Sequence, residues 1–466
     1  MIINIKNFGP IDQCDIEVKP LTVFVGANGT GKTWTATLIA SLFSPYMWRY
    51  YFDAYSKEVL SERYSTIEDA IEQLLVDGNA KINLEHFFEE YGTEYISNVA
   101  RLLPEHFPDI LGSQRISFKN LNITAEFDIE KYVSYLIKSS VEKKTGEGKD
   151  GNAILELYTQ KDDSNLYILT SSSKKLHEKM PINLIRQKLS SFIFMLFHQA
   201  FYGNTHFFPA ERTGMQQFIS EIRKVDKAST LNDTSSDKNK NARHMSILLG
   251  DLVGTISDAC DSEEQMRRQK LAEKTPTVRK YIELSHILEN EILGGAVELN
   301  ETGDKSMEIL FKHNEVDTSF DISPVSSSIK DLISLVLYLR YVAQENDLIV
   351  MDEPEMNLHP EAQIKIMEFL SMMVNCGLNI ITTTHSPYLV DHISNLTKAY
   401  ELKKNGKNNL DAKFKLKNDL CFIDPDNVSV YLFADNSAKN IFDGDLVDWD
   451  TFGNVSDYVS NLYFDL

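Results

Sequence analysis

The sequence predicts an α/β fold with a parallel core sheet and a nucleotide site at one sheet edge. Three observations carry that reading. Residues 26–33 read Gly-Ala-Asn-Gly-Thr-Gly-Lys-Thr and follow the apolar run Leu-Thr-Val-Phe-Val at 21–25. Residues 348–353, Leu-Ile-Val-Met-Asp-Glu, form a second apolar run ending in two carboxylates. A third run, Leu-Asn-Ile-Ile-Thr-Thr at 378–383, delivers Thr384, His385, Ser386 and Pro387. Short apolar runs of this kind are buried strands, and helices between them make the sheet parallel. Ligands of such sheets bind beyond the C-terminal ends of the strands.

The first run fits the phosphate-loop pattern G-x-x-x-x-G-K-[ST] at every fixed position. Its glycines let the backbone of Asn28, Gly29, Thr30 and Gly31 curl, so that successive N–H groups converge on phosphate oxygens. Lys32 supplies a point charge for the β and γ phosphates, and Thr33 offers a hydroxyl to Mg²⁺. From Trp34 to position 40 the chain reads as a helix whose N-terminus faces the anion. The expected ligand is a nucleoside triphosphate.

Asp352, at the end of the second run, is placed to hold Mg²⁺ through water. Glu353 is placed to orient or deprotonate an attacking water. After Pro-Glu-Met-Asn-Leu-His-Pro at 354–360, an amphipathic helix is expected over 361–375, closed by Gly377. His385 then falls at the C-terminal end of the third strand, where a ligand would lie.

Together these motifs resemble the ABC-type ATPases of the SMC, RecF and OLD group. The Glu-Pro-Glu-x-x-Leu-His-Pro form, Asn-Phe-Gly-Pro-Ile at 7–11 and Phe-Phe-Pro-Ala-Glu-Arg at 207–212 are closest to the OLD-like branch. The resemblance covers roughly 1–45, 205–213 and 294–400. It implies an ABC-type head, a parallel core sheet plus an antiparallel subsheet, that uses ATP and Mg²⁺, with Glu353 catalytic and His385 donating to the γ-phosphate. It also implies pairing of two heads into a homodimer or larger oligomer, each nucleotide being sandwiched against the partner's signature segment. The matching segment is 325–332, with Ser326, Ser327, Ser328 and Lys330 facing the partner's nucleotide. Ser328 stands where the family has glycine, which narrows how closely the backbone approaches a phosphate.

Composition narrows the setting. A chain of 466 residues with net charge −21 has ample core, and its surface is not generally suited to nucleic acid. No basic leader with an apolar stretch opens it, and the apolar stretch 192–197 is far short of a membrane span, so a cytoplasmic location is expected. The four cysteines are scattered without metal spacing and read as reduced thiols. Basic runs at 267–270 and 403–417 read as solvated surface rather than as a DNA track.

The distance between the first two motifs requires an insertion. The expected organisation is an N-terminal part of the head (1–213), a helical insertion forming an arm (214–293), the rest of the head (294–400) and an acidic-aromatic extension (401–466). Within these, 116–127 and 152–170 alternate as strands around a polar turn at 143–148. Residues 229–242 read as a mobile linker between helical patterns. Asp443, Asp445, Asp448 and Asp450 lack the spacing of a Ca²⁺ loop or a nuclease and read as surface. OLD proteins carry a Toprim nuclease after the head, and none is visible here. The shape therefore resembles the ATPases of two-gene anti-phage systems such as Septu and PARIS, whose effector, a nuclease or toxin, is a separate chain. The alternative is a RecF-like repair or maintenance ATPase acting directly on DNA.

Overall fold

The computed structural model describes residues 1–59, 63–113, 115–136, 141–147, 153–170, 180–212, 246–301 and 307–448, with isolated positions 214, 458, 461 and 462. It divides into two compact units. One comprises Met1–Ile5, Ile39–Phe107 and Phe118–Thr205; the other comprises Lys6–Leu38, Pro108–Ser117 and His206–Leu466. The expected linker at 229–242, with the helical pattern before it, lies outside the described residues.

The second unit holds all three motifs. Its six-stranded sheet runs, edge to edge, Ser437–Asn440, Val428–Ala434, Leu21–Gly26, Asn379–Thr384, Leu348–Asp352 and Thr205–Phe208. The strand Leu21–Gly26 lies between two parallel neighbours, with Val23 opposite Thr382 on one side and Val430 on the other. Leu348–Asp352 pairs in parallel with Asn379–Thr384, so Asp352 falls opposite Thr383. Every residue of Leu348–Asp352 is buried. That is why these strands read as continuous apolar runs rather than as alternating ones. A three-stranded antiparallel subsheet, Gly295–Glu301, Met307–His313 and Ser319–Asp321, is present as the resemblance implied. The fold class is as the sequence predicted: α/β, with a parallel core and an antiparallel subsheet.

Three expectations about organisation are corrected. Residues 246–293 of the expected arm do not stand apart from the head. Among them, Leu252, Ile256, Tyr281, Leu284 and Leu288 are buried in one cluster with Val23, Leu335 and Met351. The helices Ile247–Ala259 and Pro276–Ile287 are amphipathic and bury their apolar stripes in the head's own core, whereas Ser262–Lys274 is polar and leaves Met266 and Leu271 exposed. The material inserted between the motifs is instead the first unit.

That unit has its own four-stranded antiparallel sheet, ordered Asn79–Asn83, Asn165–Thr170, Ala153–Thr159 and Glu142–Glu147. It also has an aromatic core: Tyr51 packs edge-on against Tyr95 and Phe194, each at 4.9 Å between ring centres. The buried hydroxyls of Tyr51 and Tyr64 satisfy one another at 2.7 Å. The second correction lies here. The polar turn expected at 143–148 is, through 147, an edge strand, on which Lys144 pairs with Glu142 and Glu156. Charged side chains suit an edge because they discourage pairing with another chain.

The third correction concerns residues 401–466. The boundary at 400 falls inside the helix Pro387–Lys404, and Val428–Ala434 is a central strand of the head beside the phosphate-loop strand. Val430 is fully buried. Val430→Asp should therefore lower stability by roughly 3–5 kcal/mol, the cost of an unpaired charge in a core. The urea midpoint measures it, and a change of about 0.5 kcal/mol or less, typical of surface positions, would contradict the placement.

Candidate functional site

The site is built where the strands Leu21–Gly26, Leu348–Asp352 and Asn379–Thr384 end. At the first of these ends, Gly26 has φ 140°, and a Cβ there would stand 2.5 Å from the Phe433 carbonyl oxygen. Gly31 has φ 98°, and a Cβ there would press to 3.0 Å on Pro10. Both positions need glycine for space as well as for backbone angle. Between them Asn28 and Gly29 are exposed, and the Thr30 hydroxyl closes the turn by donating to the Ala27 carbonyl at 2.9 Å. The helix Lys32–Leu42 starts at once, which leaves its first N–H groups directed at the loop.

Lys32 is buried, and its ammonium donates to the Gly26 and Ala27 carbonyls at 2.9 and 2.8 Å. Burial pushes its pKa down, while Glu353, Asp352 and Glu355 oppose that shift. The Thr33 hydroxyl donates to Asp352 Oδ1 at 2.9 Å, and the Thr383 hydroxyl donates to the same oxygen. One carboxylate oxygen thus gathers groups from three parts of the chain.

Glu353 follows with φ 47°, a left-handed conformation unusual for a residue with a Cβ. Its N–H donates to the Thr383 carbonyl at 3.1 Å, and its carboxylate lies 3.7 Å from His385 Nε2. Burial, then the Lys32 charge, lower the His385 pKa against the opposing pull of Glu353 and Asp352, which favours the neutral imidazole. A neutral imidazole still has one N–H to donate. A cleft of about 620 Å³ is lined by Pro10, Asn28, Gly29, Gly31, Lys32, Thr33, Trp34, Glu353 and His385.

Four supporting residues were less visible in the sequence. Glu355 accepts from the Thr384 hydroxyl and the His385 N–H, both at 2.7 Å, and burial raises its pKa. Asn357 donates to Asp331 at 2.8 Å, and Thr383 and Arg212 hold the two acidic residues. Glu355 and Asn357 lie within a motif already singled out, so that motif was their signal. Thr383 and Arg212 also end stretches already singled out, 378–383 and 207–212, but their partners are distant in sequence and their roles could not be read there.

The segment expected to face a partner's nucleotide opens the helix Ser327–Leu337. Ser326 and Ser327 are exposed at the start of the helix Ser327–Leu337, and the Ser326 and Ser328 hydroxyls bond each other at 2.9 Å. Lys330 is buried, its ammonium donating to the Ser323 carbonyl at 2.8 Å. None of these residues lines the cleft.

The donor set fits a magnesium nucleotide. Mg²⁺ is usually held by one or two protein oxygens together with phosphates and water, and the converging Thr33 hydroxyl and Asp352 carboxylate are such a pair. Among the described residues no group of three or more His, Cys, Asp or Glu side chains forms a metal cage.

The model for the AAA ATPase domain matches residues 1–390. The chain belongs to that family. Among curated proteins it is similar to the energy-coupling factor transporter ATP-binding protein EcfA2 of Mesomycoplasma hyopneumoniae strain J, at 24% identity over 225 residues, 43% of this chain and 73% of that protein. The EcfA2 of Mycoplasmopsis synoviae strain 53 is 32% identical over 88 residues, 19% and 27% of the two chains. Among solved structures it is similar to the Smc head with an extended coiled coil bound to the C-terminal domain of ScpA, from Pyrococcus furiosus. That match has 10% identity, 98% coverage of both chains and a TM-score of 0.35. The SMC head from Thermotoga maritima matches at 10% identity, 94% and 97% coverage and a TM-score of 0.28. Among the described residues no helix is long and apolar enough to cross a membrane.

Lys32→Ala removes the cation at the loop. Nucleotide affinity, read by titration with a fluorescent ATP analogue, should fall ~10–100-fold, the worth of a charge-assisted hydrogen bond or two. An unchanged affinity would remove the loop from nucleotide binding.

Proposed function

We propose that this chain binds ATP with Mg²⁺ and hydrolyses it in the cleft above the phosphate loop. The observation that carries the reading is the contact between Thr33 and Asp352, with Glu353 and His385 facing each other beside it. When bound, Mg²⁺ would supply charge neutralisation on the phosphates, with Thr33 and Asp352 as its protein partners. Lys32 neutralises the β and γ phosphates. The Glu353 carboxylate, partly exposed to the cleft, orients the attacking water and takes its proton. The neutral His385 imidazole donates a hydrogen bond to the γ-phosphate, and Glu355 fixes its backbone.

The chemistry serves a switch between separate and paired heads. Ser326 and Ser327, exposed at a helix N-terminus, meet the partner's γ-phosphate, and ATP bound without turnover holds two equivalent sites together. Lys330, tied to Ser323, supports that turn from behind. The paired state controls a separate effector, a nuclease or toxin, in anti-phage defence. The OLD-like motifs support this role, and the net charge of −21 favours a protein partner over direct action on DNA. The names of the curated relatives support nucleotide binding, and the cytoplasm suits such a machine.

Glu353→Gln keeps shape and hydrogen bonding but removes the base, so ATP turnover should fall by ~10²-fold or more with binding retained. Normal turnover in this variant would place the chemistry elsewhere. The same variant with Mg-ATP should run as a dimer or larger by light scattering. Adding Ser327→Arg should then abolish ATP-dependent association while the nucleotide stays bound; association that survives the arginine would refute the role of this segment.

A further inference from the structure

Arg212 is fully buried, and among the described residues its guanidinium donates to backbone carbonyls. Its Nε donates to the Asp331 carbonyl at 3.0 Å, and its Nη1 donates to those of Pro209 and Asp352 at 3.1 and 2.7 Å. Its Nη2 donates to the Glu353 carbonyl at 3.0 Å. The first carbonyl belongs to the helix Ser327–Leu337, and the last two belong to the residues that carry the acids of the cleft. The carboxylates of Asp331, Asp352, Glu355 and Glu353 surround its charge.

We propose that Arg212 is a positioning residue for Glu353, setting its carboxylate toward the cleft and linking that setting to the helix Ser327–Leu337. Fixing the carbonyls of 352 and 353 fixes two successive peptide planes. Glu353 sits between them at φ 47°, a conformation that persists only where its surroundings impose it. Rotation of either plane would swing the side chain away from His385. The same fork grips Asp331, whose carboxylate is tied by Asn357 from the loop that follows Glu353. A displacement of the helix's N-terminal half would therefore reach Glu353 through one rigid cation. Only a planar group with several donors can span three such carbonyls, and a lysine offers a single nitrogen.

The inference rests on the proposed hydrolysis, and a double-mutant cycle separates the two. Wild type, Arg212→Lys, Glu353→Gln and the double variant are compared for kcat, KM, ATP affinity and melting temperature. Arg212→Lys should lower kcat by about tenfold or more, with KM and affinity within about twofold. In the Glu353→Gln background it should cause no further loss, because the group it positions is already gone. Multiplying effects, or kcat, KM and melting temperature falling together, would make Arg212 a structural residue and overturn the proposal. Normal turnover in Glu353→Gln would instead defeat the hydrolysis reading itself. If Arg212→Lys does not fold, Arg212→Met, which fills similar space without a buried charge, is measured in the same way. Failure of both to fold also overturns the proposal.

Discussion

The Asp352 carboxylate is the point on which the site depends. It takes a hydrogen bond from Thr33, beside the phosphate loop, and another from Thr383, on the strand between. That requires the order Leu21–Gly26, Asn379–Thr384, Leu348–Asp352 in one parallel sheet, with Asp352 in register with Thr383. A shift of one residue in either pairing would turn Asp352 or Thr383 to the other face of the sheet. The fully buried strands prevent such a shift, since any slip would carry Asp352 into the core or bring an apolar side chain to the cleft. Core packing and the placement of a metal partner are thus one constraint.

Polar contacts behind the cleft brace the strand ends. Glu355 holds the backbone of His385, Arg212 holds that of Asp352 and Glu353, and Asn357 ties the following loop to Asp331. Enclosed carboxylates and a buried guanidinium are costly to desolvate, and each is offset by hydrogen bonds of good length. One oxygen, Glu355 Oε2, has no partner among the described residues. Burial accordingly raises the pKa of that carboxyl.

Much of the site was legible in the sequence because its chemistry lies in contiguous motifs. The residues 26–33, 352–353 and 385 converge on one cleft because each motif ends a core strand. The strands Ala153–Thr159 and Asn165–Thr170 were legible through their alternation. Three features were not. The helices Ile247–Ala259 and Pro276–Ile287 have ordinary amphipathic patterns, and a pattern does not say which core a helix covers. Val428–Ala434 looked like part of an appendage because its neighbour, Leu21–Gly26, lies at the other end of the chain. Arg212 acts through carbonyl groups, which leave no mark on the residues that provide them. Lys330 shows the converse: its place in a motif suggested an outward role, and its ammonium instead caps the Ser323 carbonyl.

The account turns on Thr33 and Asp352 being the protein partners of a nucleotide-borne divalent ion. Mn²⁺ in place of Mg²⁺, observed by electron paramagnetic resonance with a non-hydrolysable ATP analogue, tests this directly. The account predicts one bound Mn²⁺ per nucleotide, absent without nucleotide, with affinity weakened about tenfold or more in Asp352→Asn and in Thr33→Val. Mn²⁺ that binds equally well without nucleotide, or that is unaffected by either substitution, would contradict it.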